Sequence, residues 1–331
     1  MIIILLEDKT INLRPSSLEE YIGQSKVKDN IKVFIKSALI RGEVLDHVLL
    51  YGPPGLGKTT LAYIIAKEMG SGIKTISAPS IEKTGDLASV LSTLEEGDVL
   101  FIDEVHRLPK FLEEILYSAM EDYYIDIIIG GESTSRSVRI TLPHFTLVAS
   151  TTRIGDLSSP LRDRFGIICR LEYYSEDELY NIVKRTSTVL GTLIDDDAAR
   201  ELAKRSRGTA RICNRLYKRV RDYAIVVESN VINMDILKKA LVKLKIDNAG
   251  LDDGAYNLLL SIINKFNGGP VGLDALANSM GEDSITIEEV YEPYLLQNGF
   301  LKRTSRGRVV TDKTYKHLEK EGILKKGENN E

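Results

Sequence analysis

The run Gly52-Pro-Pro-Gly-Leu-Gly-Lys-Thr59 sets glycines, a lysine and a threonine at the spacing GxxxxGK[ST]. Glycines let successive backbone N–H groups turn inward around phosphate oxygens, and a helix starting at the lysine adds the positive end of its dipole. The Lys58 ammonium is then placed to bridge terminal phosphates, and the Thr59 hydroxyl to hold Mg2+. Further along, the apolar run Asp98-Val-Leu-Phe-Ile102 delivers Asp103-Glu104. At the C-terminal end of a parallel strand, Asp103 can orient the magnesium shell and Glu104 can polarise a water for attack on the γ-phosphate. Ser150-Thr-Thr-Arg153 closes another apolar run and brings hydroxyls beside the same phosphate. Arg162 and Arg164 lie too far downstream to belong to the phosphate loop. An arginine that completes a neighbour's active site is worth about 10³–10⁵ in rate in some nucleotide hydrolases; surface ion pairing is the alternative for both. Arg211, in Gly208-Thr-Ala-Arg211, opens a helix from which a guanidinium could reach a γ-phosphate. The chemistry these residues share is ATP hydrolysis.

Such residues need a rigid frame, and the first part of the chain predicts one. Residues 47–51, 98–102 and 145–150 are short apolar runs suited to buried strands, and 61–69 and 111–120 between them have helical spacing. Alternation of this kind indicates a parallel α/β sheet. Residues 123–142 break the rhythm: β-rich runs at 124–129 and 137–141 flank a polar turn, which reads as an inserted hairpin. From Ser175 the pattern is helical. Ser175 and Glu178 form a capping box, and helices are expected over about 176–190, 196–206, 210–227 and 234–244. After Leu251 come helices around a Gly268-Gly-Pro270 turn, a further helix near 286–298, and a ribbon of 300–303 and 308–311. Helices followed by a two-stranded ribbon with a basic turn outline a winged helix; a small α+β interaction module is equally compatible with the pattern.

The 331 residues carry 44 Lys+Arg and 48 Asp+Glu, with 43% hydrophobic and 28% charged residues, so a folded, soluble chain of two or three domains is expected. No apolar run approaches the roughly 18 residues of a membrane span, and the opening 1–6 run lacks a basic start. Cys169 and Cys213 form neither a CxxC pair nor a metal set, and the four histidines are scattered. A disulfide scaffold, a zinc site and secretion are therefore not expected, and a cytoplasmic location is. Charge is uneven: residues 1–174 are net −5, 175–245 net +5 and 246–331 net −4. The last part still concentrates Lys302, Arg303, Arg306, Arg308, Lys313 and Lys316 against Asp312, which leaves a compact basic site open.

In this order the elements resemble an AAA+ ATPase, and in detail the RuvB family, bacterial motors that drive branch migration of Holliday junctions. The likeness runs from Leu13-Arg-Pro15 and Tyr21-Ile-Gly-Gln24 through Gly52–Thr60, Leu100–Arg107, Ala119–Tyr123, Pro160–Gly166 and Leu171–Tyr174. It continues through Gly268–Leu273, Thr286–Tyr294 and Arg303–Arg308. The phosphate loop is widely shared; the C-terminal runs are far more specific. The resemblance implies a large AAA+ P-loop domain with a parallel sheet (1–174), a small helical lid (175–246) and a winged-helix head (247–331). It implies ATP and Mg2+ as cofactors, a homohexameric ring, duplex arms of Holliday junctions as substrate, RuvA docked through hairpin 124–142, and RuvC in the larger complex.

The site residues it implies are as follows. Leu13, Arg14, Tyr21 and Ile22 help hold the adenine end. Gly55, Gly57, Lys58, Thr59 and Thr60 bind phosphates and Mg2+, with Asp103 and Glu104 as the acidic pair. Thr151 is the first sensor, Arg164 the finger presented to the next subunit and Arg211 the second sensor. Tyr174, Glu121, Asp122 and Tyr123 match positions near the nucleotide, and Arg303, Arg306 and Arg308 would contact the DNA backbone. Several positions depart from the family's usual pattern, among them Ala149, where glycine is frequent. Ser150 stands where alanine is frequent, Ala210 and Ser305 where proline is frequent, and the hairpin turn Gly130–Arg136 is more polar, which bears on RuvA docking because apolar tips supply buried contact area. Two other functions compete. An initiator or loader with a winged helix would read bases from the 286–297 helix, which the acidic Glu288, Glu289 and Glu292 disfavour. A nucleotide-gated binding switch would lack Glu104 or the arginine finger.

Overall fold

A computed structural model of the chain describes residues 13–129 and 136–324. It separates into two compact units, one ending at Tyr174 and one beginning at Ser175.

In the first unit, helix α1 (Ser25–Arg41) is followed by β1 (Val48–Tyr51), α2 (Lys58–Met69), β2 (Ile73–Ser77), α3 (Thr84–Leu91), β3 (Val99–Asp103) and α4 (Lys110–Glu121). The hairpin β4 (Tyr124–Ile129) and β5 (Arg136–Thr141), then β6 (Thr146–Thr151), α5 (Ser159–Asp163) and β7 (Ile167–Arg170), complete it. The five-stranded sheet runs β2-β3-β6-β1-β7 and all its pairings are parallel. Buried on both faces, the central strands read as continuous apolar runs, as parallel strands between helices must. The edge strand β7 instead alternates buried and exposed residues.

A buried histidine pins the N-terminal edge of this sheet. The Leu147 N–H donates to His47 Nδ1 at 2.8 Å, so Nε2 carries the proton and donates to the Met120 carbonyl at 3.0 Å. Burial pushes the His47 pKa down, against the opposing pull of the Met120 carbonyl and Asp46. The expected hairpin is present, in antiparallel register from Tyr124↔Thr141 to Ile129↔Arg136. Arg139 grips Asp126 across it with two bonds of 2.9 and 2.8 Å. Its polar turn, 130–135, lies outside the described residues, as does the polar tail from Lys325.

The second unit begins with α6 (Glu176–Leu190), whose capping box is formed as expected: the Glu178 N–H donates to Ser175 Oγ and the Ser175 N–H to Glu178 Oε2. A short parallel pair, β8 (Leu193–Ile194) and β9 (Val231–Ile232), ties α7 (Asp196–Lys204), α8 (Ala210–Val226) and α9 (Met234–Lys243) together. Then follow α10 (Asp253–Phe266), α11 (Leu273–Met280), α12 (Ser284–Thr286), a π-helical turn Ile287–Tyr291, α13 (Glu292–Gln297), the ribbon β10 (Leu301–Thr304) and β11 (Gly307–Val310), and α14 (Asp312–Lys320). The helices and ribbon of residues 253–320 enclose one apolar core that includes Leu258, Leu259, Ile287 and Leu295, as a winged helix requires. Two arginines staple this core to the preceding helices. Arg207, 6% exposed, donates to the Gly250 carbonyl at 2.5 Å, pairs with Asp252 at 3.0 Å and lies 5.5 Å from the Tyr294 ring centroid. Arg205 donates to the Ile246 carbonyl and to the Asn248 side chain. Among the described residues, no helix is long and apolar enough to cross a membrane.

Candidate active site

β1 ends where the chain must turn sharply. At Gly52 φ is 144°, and a Cβ there would stand 2.5 Å from the Leu171 carbonyl oxygen. At Gly57 φ is 95°, and a Cβ would meet the Tyr21 hydroxyl at 2.6 Å. Only glycine fits either place. Between them Leu56 is fully buried, and its carbonyl accepts hydrogen bonds from Tyr21 (3.1 Å) and Tyr174 (2.9 Å). Burial, then the neighbouring Tyr174, pushes the Tyr21 pKa up, so the phenol stays neutral and donates. Gly55 has φ 81°. Lys58 Nζ donates to the Gly52 and Pro53 carbonyls at 2.7 and 3.0 Å, and half-buried Thr59 and Thr60 follow in the first turn of α2.

The N-terminal segment forms a wall beside this loop. Arg14 lies 5.3 Å from the Tyr63 ring centroid on α2, and the Leu18 N–H donates to Glu68. Gln24 exchanges two hydrogen bonds with the backbone of Glu172. Leu13 and Ile22 are half-buried in the same segment. Tyr21 and Tyr174 thus touch the loop that carries Lys58, and Arg14 packs on the helix that follows it.

The acidic pair sits alongside. Thr151 pairs in register with Tyr51, and its carbonyl accepts from the Gly52 N–H at 3.2 Å, so β6 ends directly against the loop. Ile102 pairs with Ala149, which brings Asp103 beside Ser150. Asp103 Oδ1 accepts from Ser150 Oγ and from the Glu104 N–H; among the described residues nothing bonds Oδ2. A hard carboxylate oxygen left open fits an octahedral Mg2+ shell that keeps several waters. Glu104 adopts φ 53°, and its Oε2 accepts from Thr152 Oγ1 at 3.3 Å. His106 Nδ1 lies 3.3 Å from the same Oε2 and 2.9 Å from Thr151 Oγ1. Neither Ser150, as a partner of Asp103, nor His106 was among the expected site residues; only the strand register reveals them.

Arg164 is elsewhere. It precedes β7, whose first residue pairs with Val48, whereas the phosphate loop leaves β1 after Tyr51. Four residues at about 3.3 Å each separate these two edges of the sheet. Arg164 donates to Glu121 at 2.8 Å and to the Pro160 carbonyl at 2.9 Å, and stacks 4.7 Å from the Tyr117 ring centroid. Glu121, Asp122 and Tyr123 follow Met120, the residue bonded to His47 at that same N-terminal edge. The structure thus joins Arg164 with the end of α4 and does not bring Glu121, Asp122 or Tyr123 to their own chain's phosphate loop. Arg211 lies exposed in the first turn of α8, which Thr209 caps through the Ile212 N–H.

In the wing, the arginines expected to face DNA differ in their surroundings. Arg308, 12% exposed, pairs with the fully buried carboxylate of Glu292. Arg303 donates to Glu292 at 3.0 Å through Nε and pairs with Glu288 at 2.9 Å. The carboxylates of the acidic helix and the arginines of the ribbon neutralise each other across space. Arg306, exposed at the turn, has no ion pair among the described residues. Another cluster of metal-ligating types, Asp247, His317 and Glu321, is satisfied by its own hydrogen bonds: Asp247 accepts from Ala249, Leu251, Tyr256 and His317.

Comparison with known proteins agrees with this geometry. Family models described as the Holliday junction DNA helicase RuvB P-loop domain, the RuvB AAA lid domain and the RuvB C-terminal winged helix domain match residues 13–171, 174–247 and 248–319. The chain is 58% identical to the Holliday junction branch migration complex subunit RuvB of Acholeplasma laidlawii, over 95% of this chain and 93% of that one. It is also 58% identical to the Staphylococcus haemolyticus subunit of the same name, over 93% of each. The solved structure of the Thermotoga maritima RuvB Holliday junction branch migration motor superposes with a TM-score of 0.85 at 54% identity, covering 93% of this chain and 98% of that one.

Proposed function

From the premise that this chain belongs to the RuvB family, we propose that it is the motor subunit that pulls the duplex arms of Holliday junctions, in recombination and repair, by hydrolysing ATP at the seam between neighbouring copies of a homohexameric ring. As a P-loop AAA+ ATPase it binds and hydrolyses ATP. We assign residues 1–174, 175–246 and 247–331 as ATPase domain, lid and DNA-binding head. Lys58, Thr59 and Thr60 hold the phosphates, Thr59 and Asp103 carry Mg2+, and Glu104 orients the attacking water. Tyr21, Tyr174, Leu13, Arg14 and Ile22 enclose the base and ribose. Thr151 senses the γ-phosphate from the same chain and Arg211 from the lid. Arg164, with Glu121, Asp122 and Tyr123 beside it, faces the nucleotide of the adjacent copy. Arg306 contacts the phosphate backbone, hairpin 124–142 docks RuvA, and RuvC joins the assembly in the cytoplasm.

The observation that carries this reading is the separation of Arg164 from its own phosphate loop: a single copy holds fuel at one sheet edge and its finger at the other. Loss of the γ-phosphate removes the charge that Arg164 and Arg211 are drawn to, so the lid rotates against the large domain. Mixing a Lys58→Ala chain with an Arg164→Ala chain tests it. Each is inactive alone, but mixed rings contain interfaces with an intact loop on one side and an intact finger on the other, and so regain ATPase activity. No recovery beyond the separate variants means that each copy completes its own centre. ATP consumption with RuvA and Mg2+ that leaves a synthetic four-way junction unmoved refutes the motor role.

A further inference from the structure

His106 lies just beyond the acidic pair, and its side chain is 6% exposed. Its Nδ1 faces two groups at once, the Thr151 hydroxyl at 2.9 Å and the Glu104 Oε2 at 3.3 Å. A bare nitrogen lone pair would oppose a carboxylate oxygen at that distance, so Nδ1 carries the proton and is shared between the two oxygens. The consequence for Thr151 follows from the inventory of a hydroxyl, which has two acceptor positions and one donor. One acceptor position takes the Arg153 N–H at 2.9 Å and the other takes His106 Nδ1–H. Both lone pairs are filled, so the hydroxyl of Thr151, a residue with no exposed surface, is locked in place at the end of the strand that abuts the phosphate loop. The same imidazole, with the Thr152 hydroxyl, anchors Glu104 through Oε2. No described residue bonds Oε1, which is therefore the oxygen left for a water.

We infer that His106 is a positioning residue of the ATPase centre: one Nδ1–H locks the Thr151 hydroxyl at the strand end and holds the Glu104 carboxylate for the attacking water. The inference deepens the proposed function and rests on the roles given there to Glu104 and Thr151. It makes γ-phosphate sensing and water activation depend on a single ring, so that disturbing the ring disturbs both.

The test compares His106→Asn, His106→Gln and His106→Ala in the full-length protein with duplex DNA. The asparagine amide nitrogen overlays imidazole Nδ1, whereas that of glutamine overlays Nε2. His106→Asn is expected to keep kcat within a few-fold of wild type. His106→Gln and His106→Ala are expected to lose about 10- to 100-fold in kcat, the usual cost of removing an outer supporting partner. Binding of a fluorescent ATP analogue should be unchanged in all three, because Lys58 and the loop are untouched. A packing role predicts the opposite pattern, with asparagine and glutamine equally impaired and nucleotide affinity falling with stability. That result, unfolding of all three variants, or wild-type kcat in His106→Ala overturns the inference. Glu104→Gln serves as the reference: if it retains turnover, the assignment of Glu104 fails instead; if it is dead while His106→Ala is fully active, only the role of His106 fails.

Discussion

Arg306→Ala and Arg308→Ala separate surface charge from internal pairing in the wing. Arg306 is exposed at the β10–β11 turn, so its loss should change stability by no more than about 0.5 kcal/mol. Each phosphate it neutralises contributes about 0.9 to the slope of log affinity against log salt. Over a fourfold rise in salt that is about a 3.5-fold loss of affinity per contact, and the variant should be flatter by that amount on any duplex sequence. Arg308 is different. Its partner Glu292 is 0% exposed, and removing one member of a buried ion pair costs about 3–5 kcal/mol. The lower end applies because Arg303 still neutralises the carboxylate. Thermal unfolding should therefore reveal a large loss of stability for Arg308→Ala, while fluorescence anisotropy at several salt concentrations, below the melting range, should give the wild-type slope. If Arg308→Ala melts like wild type and flattens the slope as Arg306→Ala does, the internal pairing is wrong and Arg308 is a DNA ligand.

Two further outcomes follow from the loop and the sheet edge. Gly52→Ala places a methyl group 2.5 Å from the backbone oxygen of Leu171 at a φ of 144°, so stability should fall by about 1–3 kcal/mol or more and ATP binding should be lost; a native melting curve with intact binding contradicts the steric reading. His47 has its pKa depressed by burial, so its contribution is fully present above its unfolded value of about 6.5 and fades as pH falls through the lower folded value. The melting temperature of His47→Gln should lie below wild type at neutral pH, and the gap should narrow on acidification; a constant gap across that range refutes the neutral, Nε2-protonated ring.

The central strands and the helices of the second unit were legible because each is set by its own local pattern: β3 spans Val99–Asp103 against an expected 98–102, and α6 spans the expected 176–190. Edge strands escape such reading. β2 carries exposed Lys74 and Thr75, and the apolar run of β7 is only Ile167–Cys169, too short to announce a strand. The phosphate loop, Asp103 and Glu104 were legible for the same local reason. Ser150 and His106 were not, because their partners are set by the pairing of β3 with β6 and by a turn that brings His106 back to Thr151. The wing misled in the other direction. The arginines of the ribbon and the carboxylates of Glu288 and Glu292 were weighed as separate charges, and only folding cancels them.

The joint made by Arg205 and Arg207 has a mechanical consequence. A guanidinium held at once by a carbonyl, a carboxylate and an aromatic face must break all three contacts to swivel, so Arg207 stiffens the link between α6–α9 and the winged helix. Under the proposed motor role, that stiffness would carry a rotation of the helical end to the wing turn at Arg306.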